Sequence, residues 1–176
     1  VLRKLVILLT CTLLAGCWQM TTRPYRDVSG VTVFAPGRVT VSGPDRMQHY
    51  RLARQPRGRY RLASIDKGED FGEGFDLGFF PLPGAPSHVL VYQAAPLDHP
   101  RTENSLRYYG LMVVTGPRSA EEIRPDCDKD VRAARASRTR PGRDGACTFA
   151  TRAGLEKSLL ALWKSGKKPE YLYQMR

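Results

Sequence analysis

Gln48-His49-Tyr50-Arg51-Leu52-Ala53-Arg54 and Arg59-Tyr60-Arg61-Leu62-Ala63-Ser64-Ile65 flank the tripeptide Pro56-Arg57-Gly58, and this stretch decides the fold. Large side chains alternate with polar ones at period two, the repeat of a strand and not of a helix. Proline presets φ for the first turn position, and glycine takes the left-handed position of a three-residue hairpin loop with a bulge. Such a loop sets the register, with Leu52 opposite Leu62 and Arg54 opposite Tyr60. Tyr50, Leu52, Tyr60 and Leu62 then share one face. Arg51 and Arg61 become diagonal neighbours on the other. Like charges that close repel, so the second face is expected to meet water or an anion.

The same punctuation continues outward. Upstream, residues 31–34 and 38–42 alternate around Ala35-Pro36-Gly37 and are expected to be strands. Downstream, residues 75–80, 88–94 and 106–114 read as three more. The last two are apolar on both faces (Val89, Leu90, Val91, Tyr92; Leu111, Met112, Val113, Val114), the mark of strands covered on both sides. The expected cover is a helix over 152–165, where Leu155, Leu159, Leu162 and Trp163 recur at helical spacing and Leu160 widens the stripe. Gly166 suits its end and Pro169 stops continuation. Shorter helical turns are expected over 119–124, where Ser119 and Glu122 form a capping-box pattern, and over 129–136. Residues 171–175 read as a final strand returning to the sheet. The fold expected is α+β and mostly antiparallel β. It is a meander sheet, curled or barrel-like, with a C-terminal helix packed on it.

The N-terminus reads differently. Arg3 and Lys4 precede about ten apolar residues, too few to span a bilayer as a helix, and then come Leu14-Ala15-Gly16-Cys17. This run resembles the lipobox of bacterial envelope lipoproteins, over the first tenth of the chain alone. The resemblance implies removal of residues 1–16 and acylation of Cys17. Trp18 after the cysteine is similar to the pattern of cargo sent to the outer membrane if the host is Gram-negative. The organisation expected is a signal over 1–16, a tether over 17–30, and one β-rich domain over 31–176. Cys11 would leave with the signal and Cys17 would carry lipid, so Cys127 and Cys147 remain. The export compartment is oxidising, and these two are expected to form a disulfide that staples a C-terminal α/β segment. Residues 128–145 between them carry Val131 as their one sizeable apolar side chain, too little to anchor the segment by burial. A catalytic or zinc-binding thiol is the rival reading, but neither cysteine has a nearby histidine, and two cysteines lack the spacing of a zinc site.

Charge and composition bound the rest. The 176 residues carry 28 Lys and Arg against 17 Asp and Glu, a formal charge of +11. Loss of Arg3 and Lys4 would leave a strongly basic mature protein, suited to anionic lipid or lipopolysaccharide head groups. Nucleic acid is not expected as a partner of an exported, anchored chain. Arg51, Arg59 and Arg61, helped by Arg54 and Arg57, are the anion-contact candidates. Asp66, Glu69, Asp70, Glu73 and Asp76 crowd a Gly-rich stretch, but their spacing matches no EF-hand and reads as a solvent face. His49, His88 and His99 lack an evident catalytic partner; Asp98 merely adjoins His99. No nucleophile elbow, zincin motif or phosphate loop occurs, so neither catalysis nor a metal or other cofactor is expected. Tyr50, Tyr60, Phe75, Phe79, Phe80, Tyr92, Tyr108 and Tyr109 lie on expected strands. They form either an ordinary sheet core or the wall of a cavity for an amphiphile, as in lipocalin-like barrels; the core is the favoured reading. The function expected is non-enzymatic contact with an envelope component by a lipid-anchored protein. Binding of a small amphiphile in a β cavity is second and an enzyme third.

Overall fold

The computed structural model describes residues 18–20, 25, 27–66, 73–97, 107–139 and 146–176. Its strands are β1 (Trp18–Met20), β2 (Gly37–Ser42), β3 (Met47–Gln55), β4 (Arg59–Ser64), β5 (Gly74–Pro81), β6 (Val89–Pro96), β7 (Arg107–Gly116), β8 (Ser119–Ile123), β9 (Cys147–Thr148) and β10 (Tyr171–Met175). Helix α1 (Val131–Ala134) precedes β9, and α2 (Arg152–Lys164) follows it. Strands β2 to β8 pair antiparallel in sequence order, and β10 slots between β8 and β2. The result is a closed up-and-down barrel of eight strands. Closure pairs every barrel edge, so none of these strands is left as a template for aggregation.

The founding hairpin has the register its turn dictates: Leu52 opposes Leu62, Arg54 opposes Tyr60, and Arg51 and Arg61 sit diagonally. Arg57 and Gly58 both take left-handed φ, 60° and 66°. At Gly58 the requirement is double, because a Cβ would also fall 2.1 Å from the Gly30 carbonyl oxygen.

Alternation sorts the apolar residues into two cores. Val39, Val41, Tyr50, Leu52, Tyr60, Leu62, Leu77, Phe79, Leu90, Tyr92 and Met112 point into the lumen. Phe80, Val89, Val91, Leu111 and Val113 point outward, beneath Leu155, Leu159 and Leu162 of α2 and beneath Trp18 and Met20 of β1. That is why β6 and β7 are apolar on both faces. The helix is capped by Thr151, whose Oγ1 accepts from the Gly154 amide at 3.1 Å. It buries Ser158 fully, while Trp163 packs at the margin. Ser158 Oγ donates to the Ala134 carbonyl, locking α2 to α1. Cys127 and Cys147 are disulfide-bonded with Cα atoms 5.4 Å apart, and both are fully buried.

Three local expectations are corrected. Residues 31–34 are not a strand; Val31 donates to the Phe79 carbonyl and Phe34 turns into the lumen, its amide bonded to the Tyr60 hydroxyl. Residues 119–124 are not a helical turn but contain β8, since partners on both edges (β7 and β10) satisfy more backbone groups than a capping box can. The 17–30 stretch does not behave as a free tether where it is described. Trp18 and Met20 pair with β7, Tyr25 stacks on Phe80 with centroids 4.1 Å apart, and all three are fully buried. Among the described residues no helix is long and apolar enough to cross a membrane.

Candidate functional site

The lumen is closed at one end and hollow toward the other. Phe34, Tyr60 and Phe79 fill the closed end, with edge-on ring contacts at 5.6 Å. The Tyr60 hydroxyl there donates to the Phe34 carbonyl and receives the Val33 and Phe34 amides. The other half holds a cavity of about 250 Å³. Leu62, Leu77, Phe79, Ala94 and Met112 line its apolar part; Tyr50, Tyr92, Glu122, Arg124, Tyr171 and Tyr173 line one polar flank. Arg46 and Gln48 stand on the β2–β3 side. The β4–β5 and β6–β7 connections leave from this end, and their residues 67–72 and 98–106 lie outside the described residues.

Glu122 organises the polar flank. Its inward position on β8 leaves it 2 % exposed. Its carboxylate accepts from the Tyr92 and Tyr173 hydroxyls, each at 2.7 Å, and from Arg124 Nε at 3.1 Å. Arg124 also donates from Nη1 to the Tyr171 hydroxyl at 3.1 Å, and its guanidinium lies 4.2 Å from the centre of that ring. A buried carboxylate is tolerable because each charge is paired and hydrogen-bonded. Burial alone would lower the Arg124 pKa, but Glu122 and the neighbouring tyrosines outweigh it, and the net shift is upward. Burial, and then Glu122, raise Tyr173 well above the usual phenol value. Burial likewise raises Tyr50. Tyr92 fits through its cross-strand partner Gly110, where a Cβ would fall 2.5 Å from the Tyr92 ring. The arrangement is a pocket with a fixed array of hydroxyl, carboxylate and guanidinium groups on one side.

The cysteine, histidine, arginine and acidic candidates singled out from sequence lie elsewhere. Cys17 and His99 are outside the described residues. Cys127 and Cys147 are joined under the helical cap. Arg51, Arg59 and Arg61 are on the outer wall. Arg51 is exposed; Arg59 donates to the Tyr25 carbonyl and lies over Phe80; Arg61 Nε is 3.6 Å from Asp76. Asp66 is on the barrel exterior, where its carboxylate contacts the ring and backbone nitrogens of His49. Among the described residues no three His, Cys, Asp or Glu side chains converge as metal ligands. The aromatic set divides. Tyr50, Tyr60, Phe79 and Tyr92 belong to the lumen, whereas Phe80 and Tyr109 belong to the outer core. Glu122 and Arg124 escaped the sequence reading because the local capping pattern claimed the segment. The signal that finds them is the period-two order Ala120, Glu122, Arg124 beside Tyr171 and Tyr173.

Fold and cavity together define the class: an up-and-down β-barrel with a half-filled lumen and a covered flank. Compared with known protein families, curated proteins and solved structures, the chain matches none.

Proposed function

We propose that this protein is an exported, lipid-anchored barrel that binds one small amphiphile in its lumen. The observation that carries the reading is the cavity of about 250 Å³, apolar on one side and bearing the Tyr50, Arg124 and Tyr171 polar atoms on the other. Ligand sites are typically concave, mostly apolar and fixed by a few polar groups. An apolar cavity of about 150 Å³ accepts benzene, so this one fits a ligand of about ten non-hydrogen atoms. The apolar body would lie against Leu62, Leu77 and Met112, with the polar end at Arg124. The buried disulfide supports an oxidising compartment, in keeping with acylation at Cys17 and, if the host is Gram-negative, an outer-membrane address. A mass spectrum of the mature protein with an unmodified Cys17 would remove the anchor from this reading.

Octanoate is the matching probe. Calorimetry of the full chain in non-ionic detergent should show one saturable site. Ala94→Phe, which projects a ring into the cavity, should abolish it while the barrel stays folded. Equal binding by both proteins, or none by the parent, would overturn the proposal.

A further inference from the structure

The outer wall beside the helical cap carries a second concavity, and the strand register explains it. Along β4–β5–β6, Arg61 pairs with Asp76 and Asp76 with Ala95; one step away, Arg59 pairs with Gly78 and Gly78 with Gln93. Residues in register share a face of the sheet. Gly78 and Ala95 therefore leave the floor of this face without bulk, between two arginines on one side and Arg107 on β7 on the other. The result is a groove of about 350 Å³ lined by Arg59, Arg61, Gln93, Arg107 and Asp76. Gly78 lets the Arg59 and Phe80 side chains lie over the strand: a Cβ there would fall 2.4 Å from Arg59 Nη1 and 2.9 Å from the Phe80 ring.

We infer that this groove is a binding site for a phosphate-type oxyanion, separate from the lumen. Among the described residues that line the groove are three guanidiniums and one carboxylate, Asp76. Planar guanidinium forks match the oxygens of phosphate. The donors are held in place and not left to search. Arg59 is fixed by the Tyr25 carbonyl and the Phe80 ring, and Arg107 is 7 % exposed. Arg61 Nε is a buried donor that makes no hydrogen bond, its nearest carboxylate oxygen lying beyond bonding distance at 3.6 Å. Crowding is felt at Arg59, which burial first, then Arg107 and Arg57, hold below the usual arginine value against Tyr109 and Asp76. An oxyanion in the groove offers Arg61 Nε an acceptor.

The test is calorimetry of the full chain in non-ionic detergent at low ionic strength, titrated with inorganic phosphate and, separately, with chloride at matched ionic strength. Phosphate should bind one site and chloride should not. Arg61→Gln, at a half-exposed side chain, should weaken phosphate about tenfold. Ala95→Glu, which supplies an internal carboxylate to the same arginines, should abolish binding and raise the melting temperature. Ala94→Phe should leave phosphate binding unchanged, which separates this site from the lumen. Short-chain phosphatidylglycerol binding more tightly than inorganic phosphate would identify lipid head groups as the source; the reverse order would identify a soluble phosphorylated compound. Indistinguishable phosphate and chloride heats, or parent-like phosphate binding by both Arg61→Gln and Ala95→Glu, would overturn the inference.

Discussion

Glu122→Ala tests whether the lumen is built around a buried carboxylate. The side chain is 2 % exposed and accepts from two tyrosine hydroxyls at 2.7 Å and from Arg124 at 3.1 Å. Alanine removes the acceptor shared by all three partners at once. Leaving a buried hydroxyl unpaired costs about 1–3 kcal/mol, and breaking a buried ion pair from one side costs about 3–5 kcal/mol. Arg124 is partly relieved because its side chain is 42 % exposed and can turn to water. A total near 4 kcal/mol follows from these ranges, which for a domain of this size is a fall of about 8–16 °C in melting temperature. Glu122→Gln keeps one carbonyl acceptor and should cost about half as much. The assay is thermal unfolding followed by circular dichroism, disulfide intact, with Tyr173→Phe added singly and in combination. Tyr173→Phe, destabilising alone, should restore about 1–3 kcal/mol in the Glu122→Ala background, because it removes the hydroxyl left without its acceptor. A Glu122→Ala protein melting within about 2 °C of the parent would refute the reasoning.

Three further outcomes are expected. Leu159 is fully buried between α2 and the barrel, so Leu159→Ala should cost about 2–5 kcal/mol in denaturant unfolding, and Leu159→Asp should prevent folding. Replacing Cys127 and Cys147 together by serine opens a loop with a sequence separation of 20 and should cost about 3 kcal/mol, read from the urea midpoint. Stability should be flat across neutral pH and fall above about pH 10. The reason is that burial raises Tyr25, Tyr50, Tyr109 and Tyr173 in the folded state. Above the ordinary phenol value the unfolded chain ionises first, holds fewer protons and gains population. A urea midpoint at about pH 11 equal to that at neutral pH would contradict this.

Strand existence and pairing were legible wherever the period was clean. The Pro56-Arg57-Gly58 turn gave its hairpin register to the residue, because turn geometry and lumen packing agree there. The two-faced apolarity of β6 and β7 foretold a cover, and α2 is that cover. Legibility failed where tertiary partners override local chemistry. Ser119 and Glu122 carry the pattern of a helix start, yet two strand neighbours claim their backbone, and Glu122 turns inward to tyrosines from β6 and β10. Residues 31–34 alternate like a strand but serve as a plug, through Phe34 and the Tyr60 hydroxyl. The outer groove was half visible. Arg59 and Arg61 stood out by charge, while Arg107 and the small floor residues Gly78 and Ala95 are joined to them by register across three strand pairs.

Native mass spectrometry of the full chain, released from its own cells in mild detergent, addresses the lumen most directly. One retained molecule of about ten non-hydrogen atoms is expected, present in the parent and missing from Ala94→Phe. A parent that flies bare and also ignores octanoate, with the barrel still folded, would contradict it.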